Sequence, residues 1–318
     1  MKQDFFRWVN SIQETAKQEL VFTVRDGFVI INKEGLQQYL KVPVPADKTI
    51  IYQPCLLLPL LKEYPDEIWV GACFNGLYKY SLSQNKWTHF TSVDEQLNSD
   101  YILGVTRWNS NEWLLGYFNL CFFNHRTGVF TKAFDDKIIN NISSICYDND
   151  RNLWLASNTG GLNLLDLNIS KPLFSSSQSI AGWRKNRLIY YDNDLQTLYS
   201  INPFYTNSIH TWNPAANITG RDTIPYFPQH LKTVNDFIAD NNNLYFAMYK
   251  GMCRFNLNTH QLDSLVYTDN FSNSQNWCFS DVCKSQKNIY FANGEGRAGP
   301  FAYHKATHSL TDLSIIHR

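Results

Sequence analysis

Residues Ile142–Asn168 read ISSICYDNDRNLWLASNTGGLNLLDLN. Two apolar bursts, LWLAS and LNLLDL, flank the turn NTGG, and the polar segment DNDRN precedes them. The pattern predicts strand A over Ile142–Tyr147, strand B over Leu153–Ser157, strand C over Leu162–Leu167 and strand D near Phe174. The glycine pair suits a turn that needs positive φ. The apolar runs are nearly continuous rather than alternating, as expected of strands covered on both faces.

The same grammar recurs along the chain. Asp66–Phe90, Asn111–Phe130 and Asn242–Tyr267 repeat it closely, Glu19–Tyr39 is the earliest copy, Lys287–Leu310 carries a lengthened turn, and Asn186–Pro203 is degenerate. The central residues of the apolar triplets are Val21, Trp69, Leu114, Trp154, Ile189, Tyr245 and Tyr290, with successive gaps of 48, 45, 40, 35, 56 and 45 residues. A period of about 40–45 with several short strands per unit is the signature of a propeller blade, each blade being a four-stranded sheet. The preceding strand keeps step: Val9 to Leu20, Ile102 to Trp113 and Ile142 to Leu153 are each 11 residues apart. Val9–Leu20 passes for an amphipathic helix in isolation, but this register places a strand there. The expectation is an all-β, seven-bladed β-propeller of four-stranded antiparallel blades. It forms one domain over 1–318, with blades starting near 8, 56, 101, 141, 179, 233 and 278, and no helix longer than about two turns. Blade 7 has its own outer strand in Ser309–Ile316. It is therefore expected to meet blade 1 by side-chain packing alone, without a strand from Lys2–Phe6.

Composition narrows the function classes. The 318 residues carry 28 Lys+Arg against 28 Asp+Glu, so there is neither a nucleic-acid footprint nor a polybasic membrane patch. Charged residues are 18% and aromatic residues 15%, a balance that suits strands. No apolar run approaches the ~18–20 residues of a membrane helix, and MKQDFFRWVNSIQE lacks the apolar stretch of a signal peptide. The seven cysteines (Cys55, Cys73, Cys121, Cys146, Cys253, Cys278, Cys283) form no CxxC pair and sit mostly inside apolar runs, which predicts buried free thiols.

With these residues in view, Ile142–Asp166 resembles the two-component regulator propeller repeat, roughly V-x-x-I-x-x-D-x-x-G-x-L-W-I-G-T-x-x-G-L-x-x-Y/L-D. Arg151 stands where Gly is usual, and Ala156-Ser157 replaces Gly-Thr. Ile68–Tyr80, IWVGACFNGLYKY, keeps Gly71, Gly76 and Leu77. The resemblance implies a sensor region of the kind found in Bacteroidetes histidine kinases and hybrid two-component sensors. It implies a periplasmic or extracytoplasmic location and a carbohydrate or other small ligand. It also implies membership of a longer receptor, in which a β-sandwich module, a membrane helix and a kinase follow. On this reading the chain is no enzyme, and a homodimer would form through the downstream region.

The chemistry-bearing patterns are sparse. Asp148–Asn152 starts like a calcium loop, but Leu153 and Thr159 stand where Gly and Glu are needed, which leaves a polar turn. Cys146 and Asp148 fit half of a sialidase Asp box, while Asp150 takes the Gly place and Trp154 falls one residue late. The eight histidines are scattered without metal-ligand spacing. No G-x-S-x-G elbow occurs, and the glycine-rich Asn293–Gly299 opens no helix. No catalytic residue, cofactor or metal is expected. In a four-stranded blade with strand A innermost, the B–C and D–A turns share one face. The expected ligand contacts are therefore Arg25, Asp26, Phe74, Asn75, Tyr117, Phe118, Asn119, Asn158, Asp192, Tyr249, Lys250, Glu295 and Arg297. Rings set beside amides and carboxylates suit sugars, which have apolar faces and hydroxyl rims. Two alternatives stay open. One is a lyase or glycoside hydrolase drawing two carboxylates from Asp26, Asp192, Asp194 and Glu295. The other is a protein-interaction scaffold.

Overall fold

The structure, a computed structural model, describes residues 9–15, 17–24, 26–35, 37–43, 54–58, 63–72, 76–91, 102, 104–116, 120–133, 142–148, 152–157, 161–165, 174–176, 188–201, 208–213, 218–224, 233–249, 251–267, 278–295 and 300–313. Every element among them is a strand, and the strands pair only with sequence neighbours, antiparallel, in groups of four. Blade 1 comprises β1 (Ile12–Glu14), β2 (Leu20–Val24), β3 (Gly27–Ile31) and β4 (Gln37–Lys41). Blade 2 comprises β5 (Pro54–Leu57), β6 (Glu67–Ala72), β7 (Leu77–Ser81) and β8 (Lys86–Phe90). Blade 3 comprises β9 (Gly104–Arg107), β10 (Glu112–Gly116), β11 (Leu120–Asn124) and β12 (Val129–Lys132). Blade 4 comprises β13 (Ile142–Tyr147), β14 (Leu153–Ser157), β15 (Gly161–Leu165) and β16 (Phe174–Ser176). Blade 5 comprises β17 (Leu188–Asp192), β18 (Thr197–Ile201), β19 (Ser208–Asn213) and β20 (Ile218–Thr223). Blade 6 comprises β21 (Val234–Asp240), β22 (Asn243–Met248), β23 (Gly251–Asn256) and β24 (Leu262–Tyr267). Blade 7 comprises β25 (Cys278–Lys284), β26 (Asn288–Glu295), β27 (Phe301–His304) and β28 (Ser309–Asp312). The fold is a seven-bladed β-propeller of four-stranded antiparallel blades.

The strands fall into two compact units. One holds blades 1, 2, 6 and 7, and the other holds blades 3, 4 and 5. Within each unit the cores lie between consecutive blades, which explains the continuous apolar runs. Along β2, Leu20, Phe22 and Val24 face blade 7 and pack with Tyr290, Ala292 and Ala302, while Val21 faces blade 2 and packs with Ile68, Val70 and Tyr78. In the other unit, Leu153 and Leu155 face blade 3 and pack with Leu114 and Leu120, while Trp154 and Ala156 face blade 5 and pack with Ile189, Tyr191 and Leu198. Successive strand side chains point to opposite faces, so a strand buried on both needs apolar residues at every position.

Local turns keep the blades in register. The Asp148 carboxylate accepts from the Asn152 N–H (2.8 Å), the Asn152 side-chain amide (2.9 Å) and the Trp154 Nε1–H (3.0 Å). The DNDRN aspartate thus spends its oxygens on its own turn and on the adjacent indole. Trp154 in turn meets Trp212 edge-to-face, with ring centroids 4.7 Å apart. In the B–C turn of blade 2, Gly76 has a φ of 71° and lies against the Phe90 carbonyl, which leaves no room for a Cβ.

Two expectations change. Ile189 lies in β17, the first strand of blade 5, and not in a second strand. Leu188–Asp192 and Thr197–Ile201 are both short apolar runs ending in turns, so periodicity alone did not separate them. With Tyr199 of β18 as the equivalent residue, the gaps of 35 and 56 become 45 (from Trp154) and 46 (to Tyr245). The first described strand of that blade is Leu188–Asp192, and the expected start near 179 lies outside the described residues. Blades 7 and 1 meet by more than packing: the Val9 N–H donates to the Asn293 carbonyl at 2.9 Å and the Ile12 N–H to Asp281 Oδ2 at 2.8 Å. Lys2–Phe6 lie outside the described residues. Val9–Leu20 is no helix, since β1 pairs with β2 from Ile12 to Glu14. Cys121, Cys146, Cys253 and Cys283 are free thiols, and burial pushes Cys121 and Cys253 up to about 12. The side chains of Cys55, Cys73 and Cys278 are outside the description.

Trp154→Ala removes a buried indole together with its bond to Asp148. It is expected to lower the unfolding free energy in urea by about 3–5 kcal/mol. A loss under about 1 kcal/mol would contradict the packing described for this blade.

Candidate functional site

The first strand of each blade has a sheet neighbour on one side only, so part of its backbone needs other partners. Near the start of β21 and of β25 a β-bulge breaks the ladder, between Val234 and Asp236 and between Phe279 and Asp281. Two polar residues sit there inside an apolar bracket: Asn235-Asp236 within Val234–Phe237, and Ser280-Asp281 within Phe279–Val282. Each pair reaches forward to the next blade. The Asn235 side-chain amide donates to the Phe279 carbonyl (2.7 Å), and Asp236 Oδ2 accepts from the Val282 N–H (3.1 Å). One blade on, the Ser280 hydroxyl donates to the Val9 carbonyl (2.5 Å), and Asp281 Oδ2 accepts from the Ile12 N–H (2.8 Å). Position by position, the two clamps are the same.

The clamps bring two carboxyl groups together. Asp281 Oδ1 lies 3.0 Å from the Val282 nitrogen that also donates to Asp236 Oδ2, so the two carboxyls crowd onto one donor. Burial, and then the charge of Asp281, push Asp236 well above the usual carboxylate range. Burial raises Asp281 as well. Two adjacent carboxylates in a poorly solvated place cannot both ionise cheaply. The clamps stand at the D–A end of their strands, the end where the B–C turns lie. Tyr249 follows β22 on this face, 38% exposed, and its N–H donates to the Thr233 carbonyl at 2.9 Å. Asn293 is buried near the end of β26, where its carbonyl receives the Val9 N–H. Among the described residues, no group of three His, Cys, Asp or Glu is placed to hold a metal ion.

The expected contact residues divide accordingly. Tyr249 lies on the B–C face with its ring partly in solvent. Asp26 is in the B–C turn of blade 1, but its carboxylate is turned to the outermost strand. It accepts from the Tyr39 hydroxyl at 2.5 Å and lies 3.7 Å from Lys41 Nζ. Burial and the Asp26 carboxylate push the Tyr39 phenol up. Asp192 ends β17, so its turn is A–B and belongs to the opposite face. Its Oδ1 accepts from the Asp194 and Leu195 N–H groups, at 2.9 and 3.1 Å. This follows from the one-strand offset in blade 5. Glu295 closes β26, with its side chain outside the description. Arg25, Phe74, Asn75, Tyr117, Phe118, Asn119, Asn158, Lys250 and Arg297 lie outside the described residues. Asn235, Asp236, Ser280 and Asp281 were not anticipated. Their signal was a polar pair inside an apolar bracket, repeated at Val9-Asn10-Ser11-Ile12 and Ile142-Ser143-Ser144-Ile145.

That bracket is the opening V-x-x-I of the repeat noted above. Residues 137–159 match the two-component regulator propeller family. The matched segment spans the first two strands of blade 4 and the DNDRN turn between them. Solved structures share the fold. The extracellular domain of BT4673 from B. thetaiotaomicron, assigned as a hybrid two-component system, aligns with a TM-score of 0.70 and 11% identity over 96% of this chain and 40% of its own. The extracellular domain of BT3049 from the same organism, assigned likewise, gives 0.67 and 15% over 92% and 39%. Virginiamycin B lyase from Staphylococcus aureus gives 0.69 and 15% over 92% and 93%. The chain thus spans about two fifths of the length of the receptor domains it resembles. No curated protein matches it.

Asn235→Ala removes the amide donor to the Phe279 carbonyl and is expected to cost about 1–3 kcal/mol in urea unfolding. Asp26→Ala, at a partly exposed ion pair, should cost less than about 1 kcal/mol. Equal losses would show that the forward clamp carries no special weight.

Proposed function

We propose that the chain is the ligand-sensing propeller of a two-component receptor, held outside the cytoplasm, and that it binds a small carbohydrate-class ligand. The binding place is the B–C end of blades 6, 7 and 1. One observation carries the reading. The Tyr249 ring stands partly exposed on this face, at the same end of the blades as the buried Asn293 and the polar clamps. A flat, partly exposed ring matches the apolar face of a sugar. The regulator propeller repeat and the shared fold of two extracellular receptor domains support the sensing role.

The likeness to virginiamycin B lyase spans nearly the whole of both chains, which keeps an enzyme as the second reading. Against it, the Asp236 and Asp281 carboxyl groups already hold backbone N–H groups of the next blade, which suits fixed structural work better than proton transfer to a substrate.

Titration calorimetry with a panel of oligosaccharides tests both. Binding without cleavage is expected, weakened roughly tenfold by Tyr249→Ala, or about 1.4 kcal/mol. A cleaved glycan would favour the enzyme. Absence of binding at millimolar concentration, or binding indifferent to Tyr249→Ala, would overturn the site.

A further inference from the structure

We propose that Asp236 and Asp281 form a proton-locked clasp: a single shared proton holds the first strands of blades 6, 7 and 1 together, and its loss at rising pH loosens that seam. The geometry favours a proton on the pair. Asp236 Oδ2 and Asp281 Oδ1 converge on one donor, the Val282 N–H, at 3.1 and 3.0 Å. Two carboxyls held this close in a poorly solvated seam cannot both ionise cheaply. With one proton the pair carries a single negative charge and still accepts the Val282 and Ile12 N–H groups. With none, like charges face each other across the seam between blades 6 and 7.

The surroundings do not offset a second charge. From blade 1 come Ser11, just before β1, a neutral side chain that favours the ionised Asp281, and the acidic Glu14 of β1. From β25 comes Cys283, whose thiol is pushed up by burial and then by Asp281, Glu14 and Asp236. Lys284, the cation of β25, reaches instead to the Ala239 carbonyl (2.9 Å) and to Asp240 (4.0 Å), toward the far end of β21. The second strands present Ala247 opposite Asp236 and Ala292 opposite Asp281. The Tyr290 hydroxyl of β26 is spent on Glu14, at 3.2 Å.

The direction with pH follows from linkage. Both folded-state values lie above the unfolded carboxylate value of about 3.9, so the native state binds more protons between the two. The stabilisation is complete below the unfolded value and is lost as pH rises through the folded one. This is the reverse of ordinary acid denaturation, in which carboxylates held ionised in the fold are protonated.

Hydrogen exchange by mass spectrometry on the whole chain, corrected for intrinsic exchange rate, tests this from about pH 5 to about pH 9. In the wild type, protection of peptides covering Ile12 and Val282 should fall by at least about tenfold relative to β22, one pH unit of linkage being a tenfold change. In Asp236→Asn, where no second charge can form, that fall should vanish. Infrared spectra at neutral pH should show the carbonyl stretch of a protonated carboxylic acid, missing from the variant. Equal pH dependence in both proteins, or no protonated-acid band in the wild type, would overturn the clasp. Should Asp236→Asn fail to fold, Asp281→Asn makes the same comparison and the wild-type infrared band decides alone. Neither readout uses a carbohydrate, so its failure is separate from failure of the binding reading.

Discussion

The first strand of a blade has a hydrogen-bonded neighbour on one side and none on the other. Its unpaired peptide groups cannot be left buried without cost, and burying them unpaired would cost more than most single contacts contribute. In the unit formed by blades 1, 2, 6 and 7, side chains meet this demand. An Asn or Ser supplies a donor to the next blade's carbonyl, and an Asp supplies an acceptor to its N–H. The β-bulge creates the opening, because it takes one residue out of the ladder and turns the following one toward the neighbour. The rest of the blade is assembled outward from this strand by simple hairpins.

The apolar faces then complete what the polar seam begins. Leu153 and Leu155 lie on one side of β14, and Trp154 and Ala156 lie on the other, so a single strand serves two cores. The indole is tied back to Asp148 at the adjacent turn, which links strand packing to turn geometry through one carboxylate. Gly76 shows the same economy at a B–C turn, where the outer strand's carbonyl occupies the space a side chain would take.

Much of the architecture was legible in the sequence, because propeller blades repeat and repetition is visible without geometry. Trp154, Trp69 and Tyr245 were recognisable as equivalent core positions, and they are buried. Blade 5 failed for a stated reason: Leu188–Asp192 and Thr197–Ile201 have the same apolar character, and only the pairing of Tyr190 with Tyr199 tells first strand from second. The site was less legible. Residue type in a turn does not say which way the side chain leans, and Asp26 leans to Tyr39 and Lys41 of its own outer strand. The clamp residues were hidden by the opposite error. Asp236 and Asp281 sit inside apolar runs, where a polar residue reads as an interruption rather than as a partner.

The clamps have a sense of direction. In each, the specific groups are side chains of the leading blade, whereas the following blade contributes only peptide groups, which every sequence possesses. Where a joint is made this way, the following strand can have almost any sequence while the leading strand needs the polar pair; β5, β9 and β17 lack it and lead without it. An array built on such a rule can grow by duplication of one unit without a matching change in the unit after it. A copy that loses its pair remains acceptable as a follower while weakening the joint ahead of it. Degeneracy in one repeat is then felt one position along the chain, in a blade whose own sequence is intact.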